Sequence, residues 1–263
     1  MRVAAMFSKD PDLKALYDNK LDFHSASAKA AFGIVKDLTK DKEEMLIKGY
    51  IENTEAYRIE LLRRELQHIK KENGTERTRA KSVSFGVLYG MSKFGLKYDL
   101  DNKTRHDGKI WSFDECQELI DRFNGTYKVL YAWLNRRVEE ARKTRIITSA
   151  FGRRRYIFGP FTSKNEREAK NTPIQVTASD LMLLGIAQLL EEGRIDRERA
   201  LICASVHDSV VLEVRNDYVQ ELIPVLKHCL ENPLLQGKKP SFITVPLLAE
   251  VEVGEKYGSM KEV

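Results

Sequence analysis

A chain of 263 residues with 42% hydrophobic and 32% charged side chains can bury a substantial core, which argues against a disordered protein. The 44 basic and 39 acidic side chains leave a net charge of only +5, so nucleic-acid binding is permitted but not dictated, and local clustering has to decide it. Cys116, Cys203 and Cys229 form no C-x-x-C pair, which argues against a disulfide framework or zinc ribbon; with no long apolar run and no signal-peptide core, a cytoplasmic location with no membrane partner is expected.

In chain order, residues 1–16 open on a short apolar segment broken at Asp10-Pro11. A helix is expected from His24 to Phe32, stopped by Gly33. Residues 41–72 carry apolar side chains at 46, 50, 57, 61, 62, 66 and 69, and steps of three and four predict one or two long amphipathic helices with a charged, solvated face. Asn73-Gly74 punctuates, and residues 76–90 are the next helix candidate. Residues 99–108 read as a polar loop. Ser112 and Glu115 form a capping-box pattern that opens a helix over residues 112–123. Residues 127–143 read as a basic helix, residues 148–159 as two short strands around Gly152, and residues 164–192 as a long helix interrupted at Pro173. Two β-branched runs within residues 200–214 flank His207-Asp208 and predict a hairpin. A helix over 217–231 and a closing strand over 243–253 follow. Helices in the middle and strands near the end give an α+β class.

The helix at residues 76–90 carries the most chemistry. Arg77, Lys81, Phe85 and Tyr89 stand four apart. Each four-residue step drifts only about 40° around a helix axis, so the four side chains line one face over about 18 Å. Two cations followed by two aromatics suit a nucleoside triphosphate, the cations meeting phosphates and the rings meeting sugar and base. Gly86 is expected to keep that face open to close approach. The same spacing also describes an ordinary packed helix with two core aromatics. At the predicted hairpin tip, Asp208 can be presented rigidly to solvent, as a metal-binding carboxylate for phosphoryl transfer requires; a plain surface turn has the same appearance. Arg153, Arg154 and Arg155 form the densest basic cluster, fitting either phosphate contact or a solvated turn.

The pattern R-x-x-x-K-x-x-x-F-G-x-x-Y-G at residues 77–90 resembles motif B of the family A, bacterial DNA polymerase I-like, DNA polymerases. Val206-His207-Asp208-Ser209 resembles motif C of that family, with Ser209 where the DNA enzymes usually carry Glu. Residues 167–180 resemble its R-x-x-x-N-x-P-x-Q-x-T-A-A-D segment, and residues 22–33 the segment in which a His approaches the incoming phosphates. Residues 2–8 resemble the tail of motif A.

The resemblance implies that His24, Arg77, Lys81, Phe85 and Tyr89 bind the nucleotide, with Arg77, Lys81 and Asp208 as catalytic residues. It implies that Arg167, Asn171, Gln175 and His207 contact DNA, and that Asp208 is a ligand of one of two Mg²⁺ ions. The remaining ligands, including the motif A Asp, would lie upstream of Met1, so an N-terminal polymerase fragment carrying motif A and thumb is an expected partner, beside primer–template DNA and dNTP. Without that fragment the chain is expected to be inactive. The implied organisation is a helical fingers subdomain over 24–165, with a helical insertion near 37–72, and an incomplete palm with a small antiparallel sheet over 1–23 and 166–263. Two other readings remain open: a single-subunit phage-type RNA polymerase fragment, in which Ser often follows His-Asp as Ser209 does, and a non-catalytic DNA- or nucleotide-binding derivative.

Overall fold

The computed structural model describes residues 1–103, 108–206 and 208–263. In chain order the helices α1 (Arg2–Ser8), α2 (Pro11–Asp18), α3 (Phe23–Phe32), α4 (Thr39–Ile47), α5 (Glu55–Glu72), α6 (Gly74–Leu88), α7 (Lys93–Lys103), α8 (Phe113–Thr126) and α9 (Lys128–Thr144) precede the strands β1 (Ile146–Thr148) and β2 (Arg154–Tyr156). After these come α10 (Ser163–Glu191), β3 (Ala200–Val206), β4 (Ser209–Val214), α11 (Val219–Glu231), β5 (Glu252–Val253) and β6 (Lys261–Glu262). The class is α+β. The chain forms two compact units: one of residues 1–6, 148–155 and 172–263, the other of residues 7–147 and 156–171.

The helical unit (7–147 and 156–171) is organised by helix starts that the side chains specify. Asp10 is the N-cap of α2: its Oδ1 accepts from the backbone N–H groups of Asp12 and Leu13, both at 3.1 Å. Its Oδ2 accepts from the Leu130 N–H in the first turn of α9 at 3.0 Å, so one buried carboxylate serves two helix starts. Ser112 and Glu115 form the expected capping box of α8. Gly33 ends α3 in the left-handed region, at φ 62°. Phe123, Leu66, Ile69, Val83, Leu96, Leu100, Leu130 and Leu134 are fully buried here, and Val138, Ala141, Ile147, Ile157 and Ala169 form a separate cluster under Phe161.

In the other unit (1–6, 148–155 and 172–263), β3 and β4 pair antiparallel as expected, from Ala200 opposite Val214 to Val206 opposite Ser209, with an irregularity between Ile202 and Ala204. Leu189, Ile195, Ala200, Tyr218, Leu222 and Cys229 form the core, with Leu212, Val214 and Leu226 against it. α10 and α11 cross tightly at Gly185, where a Cβ would sit 2.9 Å from the Cys229 carbonyl oxygen and 3.0 Å from Leu230 Cα.

Several expectations need correction. Residues 41–72 form two helices, within what the spacing allowed, but on α4 the inward residue is Met45, which is buried, and not Leu46, which is 47% exposed. Residues 99–103 belong to α7, where Lys97 and Lys103 pair with Asp101 and Asp99 at i,i+4 spacing; the remainder of the expected loop up to residue 107 lies outside the described residues. Pro173 does not interrupt α10: a proline forfeits one backbone hydrogen bond, and burial of Ala169 and Ile174 holds the helix through it. Residues 243–251 form no strand. Pro246 has no N–H for a ladder, and this stretch is tied instead by Arg2 Nη1 donating to the Pro246 carbonyl at 2.8 Å and the Ala249 N–H donating to Glu231 Oε1 at 2.9 Å. Contrary to the expectation of no membrane-length run, α10 is long and apolar enough to cross a membrane by length and composition, with 44% of its most apolar window buried within the protein; length and composition alone do not make a span.

The Gly185 crossing yields a test. Gly185→Ala places a methyl against backbone that cannot rotate away, so a loss of about 1–3 kcal/mol is expected. Urea unfolding would read it as a lowered midpoint at unchanged slope; an unchanged midpoint would mean that the α10–α11 crossing is slack.

Candidate functional site

α6 presents one face to its neighbours and another outward. Ala80, Val83, Ser84, Val87 and Leu88 are buried, and α3, α5, α7 and α8 all pack against the helix. Ser84 is fully buried, and its hydroxyl donates to the Lys81 carbonyl at 3.2 Å. On the outward face Lys81 is exposed, and Phe85 and Tyr89 are 36% and 38% exposed. The two rings stack with centroids 6.2 Å apart and planes 17° apart.

Arg77 is held rather than free. Its Nε donates to Ser25 Oγ at 3.0 Å and its Nη2 to Asp22 Oδ2 at 2.8 Å. Asp22 is the N-cap of α3, and its Oδ2 also accepts from the Ser25 N–H at 3.2 Å and from the Ser25 hydroxyl. Burial by itself would raise the Asp22 carboxyl, but the Ser25 hydrogen bonds and the Arg77 guanidinium outweigh it and hold the group below its ordinary 3.8. These contacts occupy two of the five guanidinium N–H groups.

His24, the second residue of α3, sits with its ring 6.1 Å from Phe85 and 5.4 Å from Phe23. Its Nδ1 is buried without a hydrogen-bond partner. Burial lowers its pKa below 6.5, and the positive charges of Lys81 and Arg77 lower it further against the opposing pull of Asp22. The structure thus gathers His24, Arg77, Lys81, Phe85 and Tyr89 along the α3–α6 junction.

Gly86 does not open this face, contrary to expectation. It points into the fold, where a Cβ would lie 3.2 Å from Met91 Sδ, because the Met91 N–H closes the helix end on the Gly86 carbonyl at 2.7 Å. Gly90, at φ 67°, takes the chain away from α6, and a Cβ there would meet Arg167 Cγ at 3.0 Å. Arg167 therefore lies just beyond the C-terminal end of α6. Arg167 is exposed and Asn171 half-buried with its Oδ1 unpartnered, both in the helical unit; Gln175 is exposed and belongs to the other unit.

In that other unit Asp208 is exposed at the β3–β4 turn, which Ser209 Oγ closes by donating to the Val206 carbonyl at 2.9 Å. His207 lies outside the described residues. Among the described residues no group of three or more His, Cys, Asp or Glu is placed to hold a metal ion. Asp208 fits one place in a Mg²⁺ shell, since that ion takes one or two carboxylates and keeps several waters. Of the basic cluster, Arg153 pairs with the buried Asp180 at 2.9 Å, while Arg154 and Arg155 are exposed. Sequence reasoning missed Asp22 and Ser25; the signal was an Asp three residues before a Ser at a helix start, an N-cap pattern.

The depressed His24 pKa has a signed consequence. Below pH 6.5 the unfolded chain binds a proton on this residue that the folded chain resists, so His24 lowers stability as pH falls from there. Thermal unfolding between pH 7.5 and 5.5 should show a smaller loss of Tm in His24→Gln than in the unmodified chain; equal losses would clear His24 of the effect.

The family model for DNA polymerase family A matches residues 42–259. The chain is 28% identical over 270 residues to a DNA polymerase of Bacillus phage SP01, and 28% identical over 268 residues to the thermostable DNA polymerase I of Thermus aquaticus, with 100% of the chain covered in each case. It spans about a quarter of the length of these relatives, 25% and 26%. Among solved structures, the POL domain of Pol1 from M. smegmatis, in complex with DNA primer-template and dNTP, matches at a TM-score of 0.65 and 22% identity, over 94% of this chain and 36% of that one, a likeness of fold. With the family model matching most of its length, the chain belongs to DNA polymerase family A.

Proposed function

We propose that this chain supplies the nucleotide-binding face and one metal-binding carboxylate for template-directed DNA synthesis. In that reaction a primer 3′-hydroxyl attacks the α-phosphate of a dNTP, and pyrophosphate leaves. The observation that carries the reading is the outward face of α6: Arg77 and Lys81 come first, the stacked Phe85–Tyr89 pair follows, and His24 docks from α3.

Arg77 and Lys81 would neutralise the triphosphate, the first as an oriented fork and the second as a mobile point charge. His24, neutral near pH 7 because its pKa is lowered, would donate to or accept from a phosphate oxygen without adding charge. Phe85 and Tyr89 would meet the sugar and the nascent base pair. Arg167, Asn171 and Gln175 would follow the minor groove of primer–template DNA, where amides suit acceptors shared by all base pairs, and His207 would contact the primer end.

Asp208 would hold Mg²⁺, which when bound supplies charge neutralisation at the attacking and leaving oxygens. A single carboxylate does not complete such a site, so further ligands would come from residues beyond these 263, in the same polypeptide or in a partner fragment. In this reading residues 24–165 act as fingers and residues 1–23 and 166–263 as palm, in the cytoplasm of a bacterial or phage-infected cell.

Primer extension by the chain assembled with the remaining length of a relative tests this. Lys81→Ala should slow dNTP incorporation by about 10²–10³-fold, and Asp208→Ala should abolish it, while the 263 residues by themselves show little extension. An Asp208→Ala assembly that extends normally would leave a nucleotide-binding module in place of a polymerase; preference for rNTP over dNTP would reassign the substrate.

A further inference from the structure

We propose that Asp22 is a positioning residue that, together with Ser25, fixes the guanidinium of Arg77 along one edge so that its remaining N–H groups are aimed at a polyphosphate. This rests on the reading of the α6 face given above and adds to it a residue that touches no ligand itself.

The geometry separates this role from an ordinary surface ion pair. The Arg77 side chain is only 20% exposed and that of Asp22 30%, so neither end of the pair is free in solvent. The contact is two-pointed: Nη2 donates to Asp22 and Nε donates to the Ser25 hydroxyl, which itself donates to Asp22. Two adjacent edge contacts fix the plane of a guanidinium, not merely its position. Three N–H groups, both on Nη1 and one on Nη2, are left for a ligand. The same Asp22 oxygen caps α3 through the Ser25 N–H, one residue after His24. One carboxylate therefore sets the α3 start that carries His24 and the rotamer of Arg77 on α6.

Removing the Asp22 charge has two opposing effects on anion binding. The local negative charge disappears, which favours an anion; and a long side chain regains freedom that it must lose again on binding. The Arg77 guanidinium stands between Asp22 on one edge and a ligand on the other, and that separation limits the first effect. The second acts in full because Arg77 is otherwise held on both edge contacts, so the net expectation is weaker binding.

The test uses inorganic tripolyphosphate titrated into the full chain by calorimetry. Asp22→Asn is the main variant, because Asn is as good an N-cap as Asp and keeps α3 intact while removing the charge. Its affinity should fall about fivefold, and Ser25→Ala, which removes the other edge contact, should lower it about threefold. A purely structural effect through the α3 cap would persist when Arg77 is absent. In an Arg77→Ala background, Asp22→Asn should therefore cost nothing further, a non-additivity that only action through Arg77 produces. Equal or tighter binding by Asp22→Asn, or an undiminished loss in the Arg77→Ala background, overturns the proposal while leaving the α6 face as the polyphosphate site. An unmodified chain that takes up no tripolyphosphate at millimolar concentration removes both.

Discussion

The groups along α6 depend on how closely α3 lies beside it. Ser25, Ser27, Ala28 and Ala31 of α3 are fully buried, and so are Ala80, Val83 and Ser84 of α6. Helix separation follows the size of the side chains at the contact, and small residues on both partners bring the backbones to the short end of the range. Across this junction run the hydrogen bonds of 2.8 and 3.0 Å from Arg77 into the start of α3 and the 6.1 Å approach of His24 to Phe85. Ser84 is fully buried, so a larger side chain there would have to be admitted by moving a neighbouring element. The buried hydroxyl is tolerated because it returns to the Lys81 carbonyl of its own helix.

Magnitudes decide what the polar groups at this junction contribute. An ion pair with both partners partly exposed stabilises a fold by about 0–1 kcal/mol, whereas an N-cap is worth about 1 kcal/mol. Asp22 therefore matters to stability through the helix start, and its contact with Arg77 matters through orientation. Phe85 and Tyr89 point the same way: leaving two large rings more than a third exposed forgoes apolar burial, and their mutual stacking recovers only part of it. A helix optimised for packing alone would have turned those positions inward.

Much of this was legible in the chain. The four-residue spacing of Arg77, Lys81, Phe85 and Tyr89 placed them on one helical side because helix geometry leaves little choice once the helix is identified. Gly33, the Ser112–Glu115 box and the β-branched runs around Asp208 marked boundaries through local chemistry. What escaped was set by tertiary neighbours. Gly86 is small because Met91 folds back on it, and no local signal announces that partner. Pro173 is passed over because burial on either side outweighs one lost hydrogen bond. Residues 243–251 alternate like a strand but are held by Arg2 and Glu231 from distant parts of the sequence. Arg77 reads as a free phosphate-facing cation from spacing, and only the fold reveals that Asp22 and Ser25 already hold one of its edges.

Asp10 and Asp22 show how one device can serve two ends. Each carboxylate caps its own helix and reaches a donor on another: Asp10 on α9, 120 residues away, and Asp22 on α6, 55 residues away. Asp10 is 1% exposed, and its donors are backbone N–H groups at two helix starts, each with a single proton to give. Such a contact is closed, and no third party can share it. Asp22 is partly exposed, and its distant donor is a guanidinium with protons to spare, so that contact is open to a third member without being broken. An acidic group from a ligand can join Arg77 while Asp22 stays in place, and the arginine then bridges protein and ligand. The difference between the two aspartates lies in the donor each one meets rather than in the acid itself, and it distinguishes a carboxylate that only builds the fold from one that also aims part of it outward.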